Sequence, residues 1–147
     1  MTITSPAFLN NQKIPSQYTC DGENMSPPLS FLEIPQSAES LTLIVDDPDA
    51  PGGTWLHWLV YNIDPHIKGF TESQRLSSDQ EGITSFGKPG YGGPCPPSGV
   101  HHYHFKLYAL DSLLDLPGKA VLEQVTSAMK NHILDQAELT GLYERTK

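Results

Sequence analysis

Two short stretches, far apart in the chain, share one grammar: a proline-stiffened loop runs directly into a β-like segment that carries histidine. The first is Asp46-Asp47-Pro48-Asp49-Ala50-Pro51, with Trp55 and His57 behind it. The second is Gly92-Gly93-Pro94-Cys95-Pro96-Pro97, with His101-His102-Tyr103-His104 behind it. Proline fixes φ and removes a backbone donor, so such loops hold a shape and feed edges or turns rather than helix interiors. A chain punctuated this way, with 13 prolines and 12 glycines in 147 residues, is confined to short extended elements joined by ordered loops.

The runs between the loops fit that constraint. Leu41–Val45 is apolar and partly β-branched, bounded by a proline loop, and reads as a buried strand. His57–Ile63 is the second strand and ends at Asp64-Pro65; His101–Leu110 is the third and longest, with Tyr103, Phe105, Leu107 and Ala109 alternating onto one side. Residues 1–40 are rich in turns. The best helix is Lys119–Lys130, preceded by Pro117-Gly118, with Val121, Leu122, Val125 and Met129 as its apolar stripe. Periodicity leaves Ile133–Tyr143 open between helix and strand. About thirty polar residues from Gly69 to Gly99 are too many to be idle in a compact domain. Three strands and one helix indicate a mainly β protein, and the length suits a single domain over residues 1–147.

Charge and cysteine usage narrow the partners. The net charge of −8, from 17 acidic and 9 basic residues without a Lys/Arg cluster, argues against nucleic acid and anionic membrane surfaces. It leaves room for a small anion held locally by histidine. Met1–Pro6 has neither a basic nor an apolar leader region, and no window approaches the length of a membrane span, so a cytoplasmic location is expected. On that expectation Cys20 and Cys95 stay reduced, since a bridge forms only where the fold brings two Cα atoms within about 7 Å.

Strand alternation selects the side chains that can converge. His101 and Tyr103 project together, with His102 and His104 on the opposite face. Trp55 and His57 share a face with Trp58 opposite, and Asp47 and Asp49 share a side across Pro48. The candidate site is therefore Asp47, Asp49, Trp55, His57, His101 and Tyr103, with Gly93 and Pro94 as a wall and backbone N–H groups near Gly92-Gly93 as further donors. A carboxylate orients an imidazole, and His⁺ and a phenol then offer donors to an anion. Each piece alone has a plainer explanation: Asp-Pro-Asp as a turn, the aromatics as core.

These residues resemble the phosphatidylethanolamine-binding protein family, also called Raf kinase inhibitor-like proteins. The resemblance rests on Asp47-Pro48-Asp49-Ala50-Pro51 with Trp55-Leu56-His57-Trp58, and on Gly93-Pro94-Cys95-Pro96-Pro97 with His101-His102-Tyr103. The opening Ile14-Pro15 through Pro28-Leu29 and the closing Ile133 to Tyr143 are similar to its short prokaryotic branch. The resemblance implies a β-sandwich with a large central antiparallel sheet, a smaller second sheet and one or two peripheral helices, and it favours a strand for residues 133–143. It also implies a non-enzymatic pocket for phosphate-type anions or phosphoethanolamine-like head groups, built by Asp47, Asp49, Trp55, His57, Gly93, Pro94, His101 and Tyr103, without cofactor, metal or catalytic residue. Regulation of a kinase or protease partner and a homodimer belong to the same implication. The family usually carries Arg where this chain has His102. Two competing expectations remain: a metal-dependent hydrolase using Asp47, Asp49, His57 and His101, and an interaction module acting through the 69–99 loop.

Overall fold

The computed structural model describes residues 1–145. Two sheets face each other. The smaller is antiparallel and three-stranded: β1 (Thr2–Thr4), β3 (Leu29–Leu32) and β6 (Gly69–Phe70), in the order β1-β3-β6. The larger contains β2 (Gln12–Lys13), β4 (Ser40–Asp47), β5 (Trp55–Ile63), β7 (His101–Leu110) and β8 (Ile133–Tyr143), in the order β2-β8-β7-β4-β5. Its pairings are antiparallel except for the short edge pair β2–β8, which is parallel. The mainly β sandwich expected from the resemblance is the fold, and residues 133–143 are a strand. Among the described residues no helix is long and apolar enough to cross a membrane.

β4 is the centre. All eight of its residues are buried, as a Leu-Thr-Leu-Ile-Val run requires when both faces of a strand are covered. On one face Leu41, Leu43 and Val45 join Trp58, Phe105 and Leu107 and pack onto Ile3, Leu29, Phe31 and Phe70 of the small sheet. On the other, Ile44, Leu56, Leu59 and Tyr61 meet Val125 and Met129 of α1 (Leu122–Met129). The helix is shorter than Lys119–Lys130. Lys119 sits at φ 61, a left-handed conformation that cannot start a right-handed helix, and Val121 becomes the half-exposed N-cap, its N–H donating to Gln124 Oε1 at 2.9 Å.

Two irregularities in β5 set side-chain direction. Asn62, at φ 53, is an extra residue opposite β4, and its side-chain amide donates to Leu114 O and accepts from Leu114 N–H. The second lies at His57: Val45 pairs with Trp58 and Asp46 with Leu56, so His57 is inserted. An inserted residue breaks alternation. His57 and Trp58 consequently share one face, whereas strict period-two reasoning puts Trp58 opposite; Leu56 and Leu59 face the helix.

Most of the long 69–99 segment has a structural task. β5 is the sheet edge, and residues 80–92 run along it. Tyr61 N–H donates to Gln80 O, Gly82 N–H to Leu59 O, Ser85 N–H to Leu56 O and Gly92 N–H to His57 O. An open edge is a template for unwanted pairing, and this segment covers it.

Candidate functional site

A surface cleft of about 250 Å³ opens where the two proline loops meet, at the ends of β4, β5 and β7. Its floor is polar and inaccessible for residues of this kind: Asp47 is 3% exposed, His57 4%, His101 6% and Tyr103 1%. The rim is apolar, made by Ala50 and Pro51 from the first loop, Trp55 and Phe86 on one side, and Pro96 and Pro97 from the second loop. Trp55 and Phe86 stand edge to face at 5.4 Å and remain partly exposed.

The floor is wired by four hydrogen bonds. Asp47 Oδ1 accepts from Asp49 N–H at 2.8 Å, which closes the turn over Pro48, and Asp47 Oδ2 accepts from His101 Nδ1 at 2.7 Å. His57 Nδ1 donates to Gly92 O at 2.6 Å, while Gly92 N–H donates back to His57 O at 3.0 Å. Both rings are thereby fixed in orientation by their Nδ1 atoms, and among the described residues neither Nε2 has a protein partner. The His57 and His101 rings flank Tyr103, at 5.2 and 6.4 Å between centroids.

Burial, the largest effect, holds the His57 ring below the ordinary imidazole range against the opposing bond to Gly92 O and the charge of Asp47. Burial also pushes the Tyr103 phenol far up, helped by the charges of Asp47 and Asp49, so it stays protonated. Among the described residues its buried hydroxyl has no hydrogen-bond partner. A lost bond of that kind costs about 1–3 kcal/mol, so the site favours an occupant that supplies one.

Of the eight residues selected from sequence, Asp47, Trp55, His57, His101 and Tyr103 border the cleft. Asp49 does not. Its Oδ2 accepts from the His102 ring and backbone N–H at 2.7 and 2.8 Å on the outward side. The chain is turning at Pro48, so two-residue spacing no longer implies a shared face. Gly93 and Pro94 lie behind the wall. Gly93 N–H donates to Asn24 Oδ1 at 2.8 Å and Pro94 O accepts from Cys20 N–H at 3.1 Å, while Gly92 N–H is spent on His57 O. The expected backbone donors to an anion are thus already engaged. A Cβ on Gly93 would sit 2.3 Å from Tyr18 O, which is why glycine stands there.

Phe86, Cys95, Pro96 and Pro97 complete the cleft. The last three lie within the quoted second motif; Phe86, from the edge-covering segment, had no sequence signal. Cys95 brings a correction, because Cys20 and Cys95 form a disulfide, with Cα atoms 5.4 Å apart, rather than remaining reduced thiols. The backbone bond between Cys20 and Pro94 and the Tyr91 hydroxyl on Tyr18 O, at 2.7 Å, bring those segments together across 75 residues of sequence. Among the described residues no group of three or more His, Cys, Asp or Glu side chains is arranged to hold a metal ion. Asp49, one of the four ligands the hydrolase expectation used, is turned away from the other three.

The family model described as "Phosphatidylethanolamine-binding protein" matches residues 4–144. A UPF0098 protein of Methanothermobacter thermautotrophicus is 51% identical across 99% of both chains, and one of Chlamydia muridarum is 45% identical across 99% of both. Among solved structures, a phosphatidylethanolamine-binding protein homologue from Chlamydia trachomatis superposes with a TM-score of 0.95 at 43% identity, covering 99% of this chain and 97% of its own. E. coli YbcL, described as a member of the mammalian family, superposes at 0.89 with 29% identity, covering 99% and 98%. The chain belongs to the phosphatidylethanolamine-binding protein family.

Proposed function

We propose that this protein binds a small phosphate-type anion, free or as the head group of a larger molecule, in the cleft floored by Asp47, His57, His101 and Tyr103. Membership of a family of binding proteins sets the general class. The observation that carries the specific reading is the wiring of His101: its Nδ1–H is held by a buried carboxylate, which leaves Nε2 as the reactive end of the ring. When protonated, that ring presents an N–H donor beside the unpartnered Tyr103 hydroxyl, and charge-assisted bonds of this kind are the strong ones. The apolar rim accommodates the substituent of an ester without hydrogen-bonding it.

The test is unfolding temperature against inorganic phosphate and phosphoethanolamine. A ligand at 100 times its Kd stabilises the fold by about 2.7 kcal/mol, a shift of several degrees in a chain of this length. His101→Ala abolishes the shift. If phosphoethanolamine works and phosphate does not, the head group is the target; equal shifts identify the phosphate group alone. No shift with either at millimolar concentration, with the protein folded, overturns the reading.

A further inference from the structure

We propose that the cleft selects an oxyanion that still carries a proton, the monoanion of a phosphomonoester, over a proton-free ester of the same charge and shape. This rests on the anion-binding reading above and adds what kind of anion.

The two histidines of the floor rest their Nδ1 protons on different acceptors, a carboxylate for His101 and a backbone carbonyl for His57. A carbonyl oxygen only accepts, so the 2.6 Å contact between His57 Nδ1 and Gly92 O requires the proton on Nδ1 in every charge state of the ring. A neutral His57 therefore exposes a lone pair at Nε2. The lock is reciprocal, because the same glycine's N–H donates to His57 O, and Phe86 lies edge-on against the imidazole at 5.6 Å. Nothing nearby readily charges the ring. Asp47 faces it from β4, and His101 and Tyr103 from β7, while the charge of Asp46 acts on it from the other face of β4. Both oxygens of Asp47 are already occupied, by Asp49 N–H and by His101, and Asp46 is paired to Lys106 Nζ at 3.0 Å. Burial keeps His57 neutral at neutral pH.

When the His101 ring is protonated, the cleft offers donors at His101 and Tyr103 and an acceptor at His57. An anion whose oxygens all carry only lone pairs satisfies the first and meets repulsion at the second, leaving a buried acceptor unpaired. One P–O–H pointing at His57 Nε2 resolves both. If a fully ionised ester enters instead, the complex must take up that proton from solvent, and the proton count of the complex is the same. Apart from that O–H bond, made with a solvent proton when the dianion enters, only hydrogen bonds form or break.

Methyl phosphate and methyl sulfate make the comparison, since methyl phosphate monoanion and methyl sulfate share charge and shape and differ by that proton. Titration calorimetry on the intact chain at pH 6, near the second pKa of a phosphomonoester at about 6, is expected to give at least about tenfold tighter binding of methyl phosphate. The ratio of the two affinities then falls from pH 6 to 8, because methyl phosphate loses its remaining proton over that range and methyl sulfate has none to lose. Run in two buffers of different ionisation enthalpy at pH 7.5, methyl phosphate takes up close to one proton more than methyl sulfate. Affinities within twofold of each other across this range overturn the inference and leave anion binding standing. Binding of neither ester at millimolar concentration overturns anion binding first and the inference with it.

Discussion

The two proline loops look alike in sequence and are held by different means. The first, residues 47–54, is organised from inside: Asp47 caps its own turn through Asp49 N–H, and its two carboxylates reach across to His101 and His102 of β7. Gly52 and Gly53, at φ 86 and 119, face open space. The second, residues 91–97, is organised from outside: Asn24, the Tyr18 carbonyl, Cys20 and His57 each hold it at a different atom. One loop therefore supplies charge and the other supplies a wall. Substitutions in the second should register chiefly as stability, and those in the first as chemistry at the floor.

The largest effect tests the wall. The Cys20–Cys95 bridge closes a separation of 75 residues, for which the chain-entropy account gives about 4.5 kcal/mol. The Cys20→Ser/Cys95→Ser double variant, or the reduced protein, is expected to lose most of that in urea unfolding while keeping the same fold by circular dichroism. A loss below about 1 kcal/mol would mean that Tyr91, Asn24 and the backbone hold the wall unaided, and the contrast between the loops would rest on hydrogen bonds alone.

The next effect tests the floor. Asp47→Ala strips the acceptor from two groups at once, the buried His101 Nδ1–H and Asp49 N–H. Each unsatisfied group costs about 1–3 kcal/mol when buried, so a loss of about 2–3 kcal/mol is expected, the loop amide recovering water. Unlike the cysteine variant, this one also frees the His101 ring, and the phosphate-dependent shift in unfolding temperature disappears. Retention of that shift would show that Asp47 has only a structural part, and the first loop would then be no more chemical than the second.

The strand that matters most was legible without coordinates. His101–Leu110 alternates cleanly, and the structure returns those bounds and that face. What failed did so where alternation fails. The inserted residue at His57 turned Trp58 to the same side, and a bulge leaves no mark in the residue types. The turn at Pro48 sent Asp49 outward, because a carboxylate two residues on is as well served by His102 as by the cleft. Lys119 stopped the helix short through a left-handed φ that lysine does not advertise. The disulfide was invisible because pairing depends on a distance, and the sequence holds only the separation. Of the cleft's side chains, those on strands and in the quoted motifs could be read, whereas Phe86 is placed by the path of a long segment along an edge.

The smallest effect separates the two carboxylates of one loop. Asp49 is largely exposed and pairs with His102, whose side-chain and then backbone hydrogen bonds hold its carboxyl below the usual carboxylate range. A depressed folded-state value gives stability that is present above the unfolded pKa of about 3.9 and is lost as pH falls through the folded value. Asp49→Asn should therefore cost no more than about 0.5 kcal/mol at pH 6 in low salt, less in high salt, and nothing once the pH has fallen below the folded value, where both proteins carry a neutral side chain. Anion affinity should stay within twofold of the parent, since Asp49 faces away from the floor. A tenfold loss of affinity would bring Asp49 into the site and make both carboxylates of the Asp-Pro-Asp turn serve the anion, which the outward hydrogen bonds to His102 argue against.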